Sequence, residues 1–242
     1  MKILAIDSTA IVASVAICDD EKLVALYTVN NGNTHSETLL PMVESVLKQS
    51  KLTVDDIGLF AVSNGPGSFT GVRIGCATVK GLAFGREVPC MGISTLEALA
   101  YNLKGSDGIL CPVMNARRNQ VYNALFRFEG DRLVRLCPDR AISVKELSEE
   151  LASNDEYSNE KVYLSGDGID ITAPVLPKEK LGFSHPVMAH QNAYSVAMCA
   201  LEAYRAGVGI VSDSVLAPTY LRPSQAERER MERIKEGADS NV

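Results

Sequence analysis

Apolar and polar positions alternate in short runs through the first part of the chain, and these runs predict a sheet. Three mainly apolar runs, separated by short polar stretches, have the pattern of a three-stranded meander: residues 3–7, 14–18 and 23–29. Between Glu37 and Ser50 the apolar positions recur with helical period instead. The elements predicted next are a strand at 59–63, a helix over 68–86, a strand around 89–93 and a helix capped by Ser94 or Thr95.

The second half of the chain repeats this order of elements. Its predicted elements are strands at 109–115, 121–128 and 132–136, a helix from Ser143 to Leu151, a strand at 161–165 and a closing helix at 193–206. The alternative is a coincidental match, because any α/β protein alternates such elements. The kept order and spacing favour a duplicated βββαβα unit, which predicts an α/β protein of two lobes with a cleft between them.

The duplication also predicts where the chain divides. The first lobe is expected to span residues 1–105 and the second lobe residues 106–215. Residues 216–242 are expected to form a C-terminal extension that returns to the body or is frayed, with a charge-rich helix over 226–235 as one alternative.

Composition and charge narrow the classes of function. The chain has 242 residues, 46% of them apolar, and a formal net charge of -6, so no overall positive field attracts nucleic acid or an anionic membrane. The six cysteines form no C-x-x-C pair, which argues against a zinc ribbon or a redox pair. The amino end lacks a secretory pattern and no apolar run approaches the roughly 20 residues of a membrane helix, so the expected compartment is the cytoplasm.

A glycine-rich stretch, NGPGSFTGVRIG at 64–75, follows the strand at 59–63 and enters the next helix. This placement resembles a phosphate-binding turn, because the first amides of a helix are unpaired. A P-loop requires Gly-Lys-Ser/Thr, however, and here Gly71 precedes Val72 and Arg73. The dinucleotide fingerprint also fails, since the glycine spacing is G-x-G-x-x-x-G.

Glycines continue into the helix itself, at 71, 75, 81 and 85. Each costs about 1 kcal/mol relative to alanine in a helix interior, so four cost about 4 kcal/mol unless close packing offsets them. Gly71, Ile74, Gly75 and Thr78 share one face of the helix. That face can pack against the chain's own sheet or against another polypeptide, and the sequence leaves both open.

Six motifs together resemble the TsaB (YeaZ) family. They are ILAIDST at 3–9, HSETLLP at 35–41, VSNGPGSFTGVRIG at 62–75, ISTLEALA at 93–100, NARRNQVY at 115–122 and PTYLR at 218–222. The match extends over nearly the whole chain. It implies an actin-like fold of two lobes, in agreement with the duplication.

The resemblance also implies a function and partners. The family is an accessory, non-catalytic part of the system that makes threonylcarbamoyladenosine next to the anticodon of tRNA. It pairs with the catalytic paralogue TsaD and supports binding of the ATPase TsaE, so tRNA would be met only through the complex. A homodimer can use the same surface. The residues expected at this partner interface are His35, Leu39, Met42, Val43, Val46, Gly71, Ile74, Gly75 and Thr78.

Catalytic alternatives are weaker. The paralogue holds its metal with H-x-x-x-H, but only three histidines occur here and His185 and His190 are five apart, so no metal site is expected. His35 is expected to cap the helix entry or to meet a partner. No serine or cysteine has an adjacent histidine, so no catalytic residue is assigned. A peptidase of the M22 type is suggested only by an older name of the family.

A nucleotide-binding phosphotransferase or ATPase is the main alternative. Kinases of the actin-like architecture use an aspartate-bearing turn in each lobe, and Asp7, with Ser8 and Thr9, lies in the first turn. In the second turn Asn115 stands where the family more often has aspartate, and an amide supplies neither a general base nor a charge for a metal. No cofactor is expected to be required, and weak binding of ATP or ADP in the cleft is left open.

Overall fold

The first half of the chain folds into a mixed sheet that is covered on both faces. The computed structural model describes residues 1–222. The strands of this sheet are β1 (Lys2–Asp7), β2 (Ala13–Asp19), β3 (Lys22–Val29), β4 (Leu59–Gly65) and β5 (Cys90–Ser94). Strands β1, β2 and β3 are antiparallel neighbours, while β4 is parallel to β1 and β5 is parallel to β4. The predicted meander and the two later strands are confirmed.

Two helices cover one face of this first sheet. They are α1 (His35–Gln49) and α2 (Phe69–Ala83), and a short helix, α3 (Thr95–Tyr101), follows β5. The side chains of α1 and α2 pack with Leu4, Ile6 and Phe60 in one core. Helix α2 ends at Ala83, three residues earlier than predicted, because Gly85 takes a left-handed φ of +74° after the helix end.

The second sheet repeats the first in a shortened form. Its strands are β6 (Ile109–Asn115), β7 (Gln120–Asn123), β8 (Phe126–Glu129), β9 (Arg132–Arg135), β10 (Arg140–Ser143) and β11 (Val162–Ser165). Helix α4 (Val144–Ser153) is capped by Ser143 as predicted, with the Ser143 and Glu146 side chains bonded reciprocally. Helix α5 (Ile169–Thr172) is one turn long, and three short 3₁₀ turns (173–175, 178–180 and 186–189) replace the next elements of the repeat.

The single strand predicted over 121–128 is wrong. The chain breaks after Asn123, whose buried amide donates to the carbonyl oxygens of Pro112 and Ala124 at 3.0 Å each. The break allows β7 and β8 to pair separately with β6, and β10 adds an unpredicted edge strand beside β7. The hydrogen bonds of the Asn123 side chain therefore stabilise the bend in the backbone.

The last helix returns to the first sheet. Helix α6 (Ala193–Arg205) was predicted to close the second unit, but it packs against β1 and β2 of the first lobe. Its small residues Ala193, Ala197 and Ala200 contact the second face of the first sheet, around Ile3 and Ala5. A short strand, β12 (Ile210–Val211), then pairs with β5 and extends the same sheet. Both faces of β1 are apolar, so this sheet needs a cover on each side.

The arrangement is actin-like, as predicted. The first sheet has the order β3-β2-β1-β4-β5 extended by β12, with helices on both faces, and the second sheet repeats the meander and the parallel strand around β6. The boundaries at 105/106 and 215/216 stay a prediction, and the proposed helix at 226–235 lies outside the described residues. Within residues 1–222, none of the helices is long and apolar enough to cross a bilayer.

Candidate functional site

The turn after β1 was the candidate site for a nucleotide, and its polar groups are used within the chain. Asp7, Ser8 and Thr9 are at most 1% exposed. One carboxylate oxygen of Asp7 accepts from the Thr9 amide at 2.9 Å and from the Thr9 hydroxyl at 2.7 Å. The other oxygen accepts from the Ser63 hydroxyl at 2.6 Å. Burial raises the pKa of Asp7, although these bonds partly oppose the shift.

Ser8 fastens this turn to helix α2. Its hydroxyl donates to the carbonyl oxygen of Gly71 at 2.9 Å, and the Thr9 carbonyl accepts from the Ser68 amide at 2.7 Å. The turn and the start of α2 thus form one hydrogen-bonded unit. In this arrangement the Asp7 carboxylate organises the backbone, and nucleotide binding at Asp7, Ser8 and Thr9 stays a prediction.

The cleft between the lobes has a volume of about 600 Å³. Its charged lining residues are Arg117, Asp167 and Arg222, and its aromatic lining residues are Phe69, Tyr122 and Tyr220. Asp167 accepts from the Asn115 amide at 3.0 Å, and burial raises the pKa of its carboxyl group. Asn115 lines the cleft as expected for the second turn, and its side chain accepts from the Arg117 amide at 2.8 Å.

The turn that carries Arg117 is strained. Arg117, Arg118 and Asn119 have consecutive positive φ values of 63°, 54° and 59°. Left-handed conformations are uncommon for residues other than glycine. Arg117 and Arg118 are exposed, and neither guanidinium takes part in an ion pair within residues 1–222. The cleft therefore has a cationic edge in an otherwise acidic chain.

The glycines at the start of α2 face the chain's own fold. A Cβ on Gly71 would lie 2.0 Å from the Ser8 carbonyl oxygen, and a Cβ on Gly75 would lie 2.7 Å from the Ser8 hydroxyl and 3.2 Å from Val62. Only hydrogen fits at either position. The sequence left open whether this face packs against the chain's own sheet or against another polypeptide. Gly71 and Gly75 pack against the chain's own fold.

The seven other predicted interface residues divide into two groups. Leu39, Met42, Val43 and Val46 of α1 are 1–4% exposed and belong to the core beneath the helix, so their side chains do not reach the surface of this chain. His35, Ile74 and Thr78 are partly exposed. The helical period of α1 identified an apolar face, but the chain's own sheet fills it.

His35 lies between the two helices and the β1–β2 turn. Its Nε2 is 2.6 Å from the carbonyl oxygen of Ala10, whereas the N-cap position of α1 is occupied by Thr34, whose side chain makes no capping hydrogen bond. The prediction that His35 caps the helix is therefore wrong. Its ring fixes the β1–β2 turn against the start of α1.

Other residues of the two helices face solvent, and they include charged as well as apolar side chains. We define the outer α1–α2 face by Leu40, Ala77, Gly81 and Phe84, which are all exposed. Leu40 is 50% exposed and Phe84 is 76% exposed, while a Cβ on Gly81 would meet no atom within 4 Å. This face combines apolar side chains with a nearly bare stretch of helix backbone.

Three buried cysteines have thiols whose pKa lies well above neutral pH. Burial raises the pKa of the Cys18 and Cys111 thiols to about 12 and that of Cys76 to about 11, so these groups remain protonated at neutral pH. Across residues 1–222, no three histidine, cysteine, aspartate or glutamate side chains cluster as metal ligands do.

Asp167, Tyr220 and Arg222 line the cleft, although none of them is among the site residues predicted from the sequence. Asp167 lies in the SGDGID stretch, whose glycines echo the first lobe, and this echo was the available signal. Tyr220 and Arg222 come from the far end of the chain. Their positions depend on β12 joining the first sheet, which no local pattern indicates.

Comparisons with known proteins agree with this fold. Residues 30–230 match the family model described as TsaD: tRNA N6-adenosine threonylcarbamoyltransferase. The chain is 34% identical over 155 residues to the tRNA threonylcarbamoyladenosine biosynthesis protein TsaB of Bacillus subtilis, covering 64% of this chain and 68% of that protein. It is 38% identical over 130 residues to the protein of the same name from Escherichia coli, covering 52% of this chain and 55% of that one.

A solved structure has the same fold. YeaZ from Pseudomonas aeruginosa superposes with a TM-score of 0.77 at 23% identity, covering 91% of this chain and 99% of that chain. The matched regions span about half the length of several of the curated relatives and about two thirds of the Bacillus subtilis protein. The identity to the TsaB proteins and the family-model match over most of the chain lead to one conclusion, with which the shared fold agrees: this chain belongs to the TsaB (YeaZ) family.

Proposed function

We propose that this chain is a non-catalytic subunit in the biosynthesis of threonylcarbamoyladenosine in tRNA, and that it acts by pairing with the transferase TsaD. The observation that carries the proposal is the 34–38% identity to proteins named for this biosynthesis. The match of residues 30–230 to the TsaD family model supports the pairing, because paralogues with one fold can associate through equivalent surfaces.

A structural role fits the chemistry of the cleft better than a catalytic one. The Asp7 oxygens already accept three hydrogen bonds from Thr9 and Ser63. Asn115 brings no charge to the second turn, and an amide cannot act as a general base. These features argue against phosphotransfer and leave binding to another protein as the main activity.

The outer α1–α2 face is the proposed surface for TsaD. Its apolar side chains favour burial, and the exposed backbone near Ala77 and Gly81 lets a partner helix approach closely. A second copy of the chain would compete with TsaD for the outer α1–α2 face. A homodimer therefore requires no additional binding surface. TsaE and tRNA would then be met through the complex.

Ala77→Arg tests this surface, with Ala152→Arg as the matched control. Both alanines are exposed on helices, Ala77 on α2 and Ala152 on α4 of the other lobe. An arginine placed in an apolar interface is expected to weaken TsaD binding by roughly 30-fold, which corresponds to about 2 kcal/mol. Isothermal titration calorimetry with TsaD measures the Kd, and nucleoside analysis measures tRNA modification.

Gly75→Leu is unsuitable for this test, because its side chain would collide with Ser8 and Val62 and unfold the subunit. Equal affinities for TsaD in the Ala77→Arg variant, the control and the unmodified chain would refute the assigned surface. Absence of TsaD binding by the unmodified chain itself would refute the pairing.

A further inference from the structure

The segment after β12 runs from the first lobe to the second across the mouth of the cleft. We call residues 214–222 the strap. Its first part is held by the first lobe: the Lys80 ammonium group donates to the carbonyl oxygens of Ser214 and Leu216 at 3.1 Å each. Strand β4 holds the next part, because the Thr219 amide donates to the Asn64 carbonyl oxygen at 2.7 Å.

Tyr220 fixes the middle of the strap on helix α2. Its ring stacks on Phe69 with the centroids 4.5 Å apart, and its hydroxyl accepts from Nε of Arg73 at 2.7 Å. The Arg73 guanidinium also lies 3.9 Å from the centre of the Phe69 ring. Stacking and a charge-assisted hydrogen bond thus hold Tyr220, and the cation–π contact joins Arg73 to the Phe69 ring on which Tyr220 stacks.

Arg222 anchors the strap to the second lobe. Its guanidinium donates to the Ala116 carbonyl oxygen at 3.2 Å and to the side-chain oxygen of Gln120. It also lies 5.9 Å from the centre of the Tyr122 ring. Ala116 and Gln120 flank the strained turn at residues 117–119, so this anchor holds the edge of the cleft that carries Arg117.

The two lobes also meet in an apolar core that adjoins the cleft, since Ala10 and Met114 belong to both. There α3 packs Leu96 and Leu99 against Leu110 and Phe126 of the second lobe in a continuous apolar core. The lobes are therefore joined in two ways, by a packed apolar core and by the polar strap. Core contacts resist separation, whereas the strap is held by a few partly exposed polar and aromatic contacts.

We infer that the strap is a latch that sets the opening of the interlobe cleft. Tyr220 and Arg222 are two residues apart and bind opposite lobes, so the chain between them limits how far the lobes separate. Thr219, Tyr220 and Arg222 also line the cleft, so release of the latch widens the entrance. This inference is independent of the proposed pairing with TsaD.

The test compares the full chain with the Tyr220→Ala/Arg222→Ala double variant. Spin labels on cysteines introduced at Glu44 of α1 and Lys145 of α4, both exposed, report the distance between the lobes by pulsed electron resonance. The chain without added cysteines reports labelling of native thiols. Tyr27→Ala/Arg132→Ala removes the same side-chain types from exposed strand positions and serves as the matched control.

The double variant is expected to show a longer and broader distance distribution, and hydrogen exchange of the Thr219 amide roughly tenfold faster, while the control changes neither. Faster exchange with an unchanged distance distribution would overturn the inference, because release of the strap would then leave the distance between the lobes unchanged. Unchanged exchange would overturn it as well. If the double variant fails to fold, Arg222→Ala alone releases only the anchor on the second lobe. A broadened distance distribution in that variant supports the latch, and an unchanged one refutes it.

Discussion

Alanine substitutions at two glycines of α2 test whether close packing explains the glycines in this helix. Gly71 and Gly81 lie in the same helix. A Cβ on Gly71 would be 2.0 Å from the Ser8 carbonyl oxygen, whereas a Cβ on Gly81 would meet nothing within 4 Å. The same substitution is therefore expected to have opposite effects at the two sites.

The expected magnitudes follow from three contributions. Alanine is favoured over glycine in a helix by at most about 1 kcal/mol, and this gain applies at both positions. At Gly71 the extra carbon must displace a backbone carbonyl, which costs about 1–3 kcal/mol. Displacing Ser8 also weakens its hydrogen bond to the Gly71 carbonyl, worth about 1 kcal/mol. Gly71→Ala should therefore lower the free energy of unfolding by about 1–3 kcal/mol, and Gly81→Ala should raise it by up to about 1 kcal/mol.

Urea denaturation followed by circular dichroism measures both variants. The slope of the free energy against urea should match that of the unmodified chain, so that the midpoints report stability. A Gly71→Ala variant as stable as the unmodified chain would refute the close contact with Ser8. Loss of stability in Gly81→Ala would show that the outer side of α2 is not open space.

Three further predictions address Asp7, helix α6 and the cleft. Burial raises the pKa of Asp7 above its ordinary value of 3.8, so the contribution of Asp7 to stability is present at low pH and is lost as pH rises through the folded-state pKa. Asp7→Asn should flatten this fall in the free energy of unfolding with pH. An unchanged pH dependence in the variant would contradict the prediction. Asp167, whose pKa is also raised, is present in both the unmodified chain and the Asp7→Asn variant, so the difference between their pH dependences reports Asp7. The Asn192 side chain caps α6 by accepting from the Tyr194 amide at 3.0 Å. Asn192→Ala should lower the free energy of unfolding, measured with heat or urea, by about 1 kcal/mol, while Asn192→Ser should retain most of the stability. Equal losses in both variants would refute the capping role. Magnesium ATP at millimolar concentration should release no phosphate above the buffer background, because the Asp7 oxygens are occupied and residue 115 is an amide. Phosphate release in proportion to the protein concentration would restore the phosphotransferase alternative.

Much of the first lobe was predictable because its elements are local patterns. The strands at 3–7, 14–18 and 59–63 are nearly continuous apolar runs, and all three have buried side chains on both faces. The second lobe was less predictable, since the break at Asn123 depends on a side chain that bonds to Pro112 across the sheet. Such a bond has no signature in the neighbouring sequence.

The site was harder to predict than the fold. Periodicity identified the faces of α1 and α2 correctly, but it carries no information about what each face meets. Val43 and Val46 fill the chain's own core, while Ala77 and Gly81 of α2 are open to solvent. The strap contacts join residues more than 100 positions apart, such as Arg73 with Tyr220, and sequence periodicity does not reach that far.

The return of α6 to the first sheet constrains how the nascent chain can fold. When a ribosome has released residues 1–105, one side of the first sheet, including Ile3, Ala5 and Ala16, lacks its main cover, helix α6, and has only the short helix α3 beside it. That cover is synthesised about 90 residues later, so the amino-terminal half must wait with an uncovered apolar surface, a state that favours aggregation. Production of the two halves as separate polypeptides should therefore fail unless α6 accompanies the first.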